Sequence, residues 1–83
     1  MLSQSVIEKA FEDVSDAINR EAAKSKNFKF EISISRGDDS SAEFYSLMTG
    51  LEQRLLGRYK GCHVRAEMSQ CVTAIQIYVA SLD

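Results

Sequence analysis

Proline and tryptophan are absent from this 83-residue chain, and histidine occurs once. Without proline, repeats or low-complexity tracts, nothing marks a linker, and the chain reads as one domain over residues 1–83. The two cysteines, Cys62 and Cys71, are too few for a disulfide scaffold, so a reduced, cytoplasmic setting is expected. Their spacing with His63 fits no zinc pattern. No apolar run approaches the roughly 18 residues of a membrane span. Met1-Leu2-Ser3-Gln4 has neither a basic n-region nor an apolar h-region, so no secretory signal is expected. No Gly-rich phosphate loop, G-x-S-x-G or Rossmann fingerprint is present. Ten Lys+Arg against twelve Asp+Glu give a net charge of −2, without the broad basic footprint of direct nucleic-acid binding. A domain of this size has little room for a deep substrate pocket. These absences favour a binding module without a cofactor over an enzyme.

The hydrophobic fraction of 45% against 27% charged is that of a globular chain, and its periodicity is strong. Over residues 5–24, Ile7, Ala10, Phe11, Val14, Ala17, Ile18 and Ala22 recur at three- and four-residue steps, the pattern of an amphipathic helix. Ser5 and Glu8 have the S-x-x-E spacing of a capping box at its start. Residues 28–35 alternate, with Phe28, Phe30, Ile32 and Ile34 on one side and Lys29, Glu31, Ser33 and Ser35 on the other. That is a strand with one buried face, ended by the turn Arg36-Gly37-Asp38-Asp39. Ser40 and Glu43 repeat the capping-box spacing before a second helix over 41–57. Its apolar stripe is Phe44, Leu47, Met48, Leu51 and Leu55, widened by Tyr45, Leu56 and Tyr59, with stops at Gly57 or Gly61. Gly50, in mid-helix, costs about 1 kcal/mol relative to alanine and suits a close approach by another element.

Two further strands complete the reading, at 62–68 and 71–80, with Ser69-Gln70 as a tight turn between them. The fold class is therefore α+β, in the order α-β-α-β-β. The β-α-β unit makes the first two strands parallel and the last two form a hairpin, giving a three-stranded mixed sheet with helices packed on it. Whether the first helix covers the same face as the second, or docks on another chain, is left open.

The strand FKFEISISR (28–36), the helix segment LEQRLLGRY (51–59), the strand CHVRAE (62–67) with Val64 and Arg65, and the apolar VTAIQIYV (72–79) carry a resemblance. Together they resemble the DinI-like family of small DNA-damage-inducible and prophage proteins. In that family, members that act on the RecA filament close with an acidic helix after the third strand. Here the sequence ends at Asp83 without that pattern and places a helix before the first strand. In size and layout it is similar to the damage-induced, LexA-controlled antirepressors of lambdoid and related Salmonella prophages. The resemblance implies a cytoplasmic protein of a bacterial host that binds a helix-turn-helix phage repressor and releases it from operator DNA. Modulation of the RecA filament is the alternative it implies.

Five groups of residues are candidates for chemistry or binding. Cys62 and Cys71 read as small buried hydrophobes, about 20 Å apart along the hairpin and beyond disulfide reach. Glu12, Asp13 and Asp16 read as a solvated helix face. Arg36, Arg54, Arg58, Lys60 and Arg65 are interleaved with acids and lack an aromatic stacking platform. Asp38 and Asp39 form an acidic loop that could engage a basic partner or complement the helix start. On the sheet face turned from the core, Val72, Ala74, Gln76 and Tyr78 lie beside Arg65 and Glu67 or beside Lys29 and Glu31. An apolar centre with a charged rim is the pattern of a protein interface. The expected partner-binding set is Lys29, Asp38, Asp39, Arg65, Gln76 and Tyr78, with a homo-oligomer expected as well.

Overall fold

In a computed structural model, residues 4–81 are described, and the readings that fall on Met1, Leu2, Ser3 and Asp83 lie outside them. The elements run α1 (Gln4–Lys24), β1 (Lys29–Ser35), α2 (Ser41–Arg58), β2 (Cys62–Met68) and β3 (Ala74–Ser81). The α+β class and the α-β-α-β-β order are those expected. The sheet order is β1-β3-β2, with both neighbouring pairs antiparallel. So β1 and β2 do run the same way, but β3 lies between them and no ladder is parallel. The expected mixed sheet is an antiparallel one. The hairpin partner of β2, with the most deeply buried inner row, has taken the central position.

Alternation builds the layers. Along β3 the inner row, Ile75, Ile77 and Val79, is fully buried. It meets Ile7, Val14 and Ile18 from α1 and Phe44, Leu47, Leu51 and Leu55 from α2 in one core. Fully burying each such side chain contributes about 1.5–3 kcal/mol. Both helices therefore lie on the same side of the sheet, which settles the position of α1. Tyr45 and Leu56, expected to widen the stripe of α2, are exposed instead. The i, i+4 stripe on its own is wide enough for the sheet and α1.

Beyond the shared core, contacts at Gly50, Arg54 and Tyr59 hold α1 against α2. Gly50 is a point of close approach, because a Cβ there would stand 2.9 Å from Ile7 Cγ2. Arg54 donates from Nε to Glu8 Oε1 at 2.6 Å and from Nη2 to Gln4 Oε1 at 2.6 Å. The Tyr59 hydroxyl is 2.7 Å from the buried Ser15 hydroxyl and donates to Asn19 Oδ1 at 3.0 Å. Buried polar groups need such partners, and here they tie the end of α2 to the middle of α1.

The two capping spacings have different outcomes. Ser40 is the N-cap of α2, accepting from the Glu43 amide at 3.2 Å, while Glu43 Oε1 accepts from the Ser40 amide at 3.5 Å. At α1, Gln4 is already helical, so Ser5 lies inside the first turn, and Glu8 is taken by Arg54. Nor does Gly57 stop α2, which runs to Arg58 and is closed by the Tyr59 amide donating to Leu55 O at 2.8 Å.

The β2–β3 connection also differs from the expected tight turn. Met68 pairs with Ile75, so residues 69–73 form the loop. The Ser69 hydroxyl accepts from the amides of Thr73 at 3.0 Å and Ala74 at 3.1 Å, and Val72 takes φ +53°. Cys71 is consequently an exposed loop residue, not a buried strand residue, and Thr73 is exposed outside the core. Cys62 is half-buried on the inner row of β2, and both thiols are free.

Candidate protein-binding surface

With both helices on the inner side, the outer face of the sheet is left open. Its side chains follow from the period of two in each strand and from the two registers. One row across the sheet is Lys29, Ala80 and His63, the next Glu31, Tyr78 and Arg65, the third Ser33, Gln76 and Glu67. Because β3 is central, Tyr78 has charged neighbours on both sides, Glu31 and Arg65, while Gln76 lies between Ser33 and Glu67; the sequence left open which strand flanks them. Four of the six expected partner-binding residues, Lys29, Arg65, Gln76 and Tyr78, share this face.

Asp38 and Asp39 do not. They lie in the turn after β1, beyond the last pair of the ladder, Ser35 with Ala74. Lys29 is at the opposite end of β1, about 20 Å away at the usual rise per residue. The turn itself is the expected one: Gly37 takes φ +61°, and the Asp39 amide donates to Arg36 O at 3.3 Å. Asp38 is exposed and Asp39 half-buried, close to the start of α2.

At the centre of the face the Arg65 guanidinium lies over the Tyr78 ring, 5.5 Å from its centroid. Arg65 is also paired with Glu67 on its own strand. On an exposed surface the ring contact contributes about 0.5–1 kcal/mol and the ion pair about 0–1 kcal/mol. These contacts orient the guanidinium and the ring more than they stabilise the fold. Beside them Gln76 Nε2 donates to Ser33 Oγ at 3.2 Å. Lys29 and Arg65 balance Glu31 and Glu67, so the ring of charge around Tyr78 has no net sign. Two shallow depressions flank Tyr78. One is lined by His63, Val64, Arg65 and Ala80, the other by Lys29, Phe30, Glu31 and Ala80.

His63 and Ala80 also belong to this surface, outside the expected partner-binding set. Alternation turns both outward, and the register sets them side by side in the row of Lys29. Among the described residues, no three His, Cys, Asp or Glu side chains converge on a possible metal position, and no helix is long and apolar enough to cross a membrane. The basic candidates are dispersed. Arg54 is held by Glu8 and Gln4, and Arg36 donates to Ser41 Oγ at 3.4 Å. Glu12, Asp13 and Asp16 are exposed on α1.

No protein-family model, curated protein or solved structure matches the chain.

Proposed function

We propose that this protein is a small antirepressor, a stoichiometric binder that takes a helix-turn-helix phage repressor off its operator in the cytoplasm of a bacterial host. The observation that carries the binding role is the open sheet face, with Tyr78 and Arg65 at its centre and charges of both signs around them. Tyrosine and arginine are the residue types that anchor protein interfaces, and a balanced charged rim sets register and excludes wrong partners. The choice of a repressor as partner rests on the sequence resemblance.

No covalent step or cofactor is needed for this role. The protein has only to bind the arrangement of the repressor that cannot grip DNA more tightly than the one that can. Asp38 and Asp39, at the end of the sheet, would form a second, acidic contact to a basic DNA-reading surface.

A tagged pull-down from a lysogenic host lysate identifies the partner, and a gel shift with that partner tests the surface. The expected result is near-equimolar recovery of a helix-turn-helix repressor, which the protein releases from operator DNA. Arg65→Glu combined with Tyr78→Ala, with a native circular-dichroism spectrum, should abolish release. Unchanged release by the folded double variant overturns the surface. Recovery of RecA without a repressor overturns the antirepressor role and moves the function to the filament.

A further inference from the structure

The sheet has two open edges, and they are not alike. On β1, the Arg36 amide donates to Thr73 O at 2.9 Å, and Phe28 O accepts from the Ser81 amide at 3.1 Å. Antiparallel ladders alternate between hydrogen-bonded and non-hydrogen-bonded pairs. Phe30, Ile32 and Ile34 therefore also turn their amides and carbonyls toward β3. Lys29, Glu31, Ser33 and Ser35 turn theirs outward, to an edge that no strand covers among the described residues.

Edges are usually blunted by proline, a bulge, an inward-pointing charge or charged side chains along the strand. The edge of β1 has only the last, in the outward Lys29 and Glu31: the pairing from Lys29 to Ser35 is unbroken, and the inner row is Phe30, Ile32 and Ile34. That inner row is also unfinished. These three residues are only half-buried, while Ile75, Ile77 and Val79 beside them on β3 are fully buried.

We propose that β1 pairs antiparallel with β1 of a second copy of this chain, about a two-fold axis at Ile32. This is the register that overlaps the whole strand. It sets Ile32 against its own copy and Phe30 against Ile34, closing the unfinished apolar row. On the outer face it sets Glu31 against Ser33 and Lys29 against Ser35, with no like-charge pair. The residues that turn outward, 29, 31, 33 and 35, meet one another, so about eight backbone hydrogen bonds form. Moving the axis to Glu31 would set that carboxylate against its own copy. The full-length register of β2 has the same fault at Arg65. The product is one six-stranded antiparallel sheet with two copies of the Tyr78 surface on the same side.

Sedimentation of the full-length chain across the micromolar range tests the pairing, with substitutions at Ser33 as probes of register. Two-fold symmetry makes each Ser33–Glu31 contact occur twice. Ser33→Glu then sets like charges opposite each other and should raise the dimer dissociation constant about tenfold or more. Ser33→Lys sets opposite charges there and should lower it several-fold. Ser33→Pro removes an amide that the monomer does not use, so it should give a folded monomer. A chain that stays monomeric throughout overturns the proposal. So does a dimer unmoved by Ser33→Glu, or one moved in the same direction by both charged variants.

Discussion

Ile77 and Tyr78 are adjacent on β3 and sit in different surroundings. Ile77 is sealed among the helices, while Tyr78 shares an open face with Arg65. The same contrast holds along the strand, with Ile75 and Val79 on one side and Gln76 and Ala80 on the other. A period of two has divided one strand into a half that holds the domain together and a half available to a partner. The two roles should then be separable by mutation. Ile77→Ala leaves a cavity in the core and should lower stability by about 2–5 kcal/mol. Tyr78→Ala removes a half-exposed ring and a contact worth less than about 1 kcal/mol, so its loss should stay near that value. Urea midpoints of the two variants decide the matter. Equal losses would mean that the outer face is covered.

The second test concerns how tightly the inner side is fitted. On an open helix, Gly50→Ala would stabilise by about 1 kcal/mol. Here the new Cβ would lie 2.9 Å from Ile7 Cγ2 and 3.2 Å from its Cδ1. Overpacking of that kind costs about 1–3 kcal/mol, so the net change should be a loss of about 1 kcal/mol. In an Ile7→Ala background the Ile7 contacts are gone, leaving only the flexible Arg54 guanidinium at 3.3 Å, and the same substitution should become stabilising. A double-mutant cycle measured by denaturation reads that change of sign. If Gly50→Ala stabilises both backgrounds, α1 is not seated at Gly50.

The contrast between the faces was legible in the sequence where it depends on local period. The alternation in β1 and β2 and the central stripe of α2, Phe44, Leu47, Met48, Leu51 and Leu55, assign inner and outer residues correctly, though not Tyr45 and Leu56 at its margin, and Ser40 with Glu43 marks a real cap. What failed depends on partners distant in sequence. The same S-x-x-E spacing at Ser5 and Glu8 is not the start of α1: Gln4 is already helical, and the Glu8 carboxylate is paired with Arg54, far along the chain. The apolar run through Cys71 and Val72 looks like strand, but the Ser69 hydroxyl binds two amides and turns the run into a loop. Strand order is not written in period at all. For that reason the sequence could place Lys29, Arg65, Gln76 and Tyr78 on an outer face without saying that they are neighbours. It also grouped Asp38 and Asp39 with them, although the ladder ends at Ser35.

The smallest expected effect lies at the cap that starts α2. Hydrogen bonds from the Ser40 side chain and then its backbone hold the Glu43 carboxyl below its ordinary pKa of 4.5. Folding therefore makes this group bind its proton less readily than the unfolded chain does. The resulting stabilisation is complete above about pH 4.5, the unfolded value, and is lost as the pH falls through the lowered folded one. Glu43→Gln keeps a hydrogen-bonding group at the same position but cannot ionise. Its deficit against the parent chain should be largest near neutrality and should shrink to nothing on acidification, when urea midpoints are compared across that range. A deficit that does not change with pH would mean that the carboxylate's charge contributes nothing. The effect belongs to the inner side of the comparison. The cap steadies the helix that covers Ile75, Ile77 and Val79, so Glu43→Gln should lower stability slightly and leave binding at the Tyr78 face unchanged.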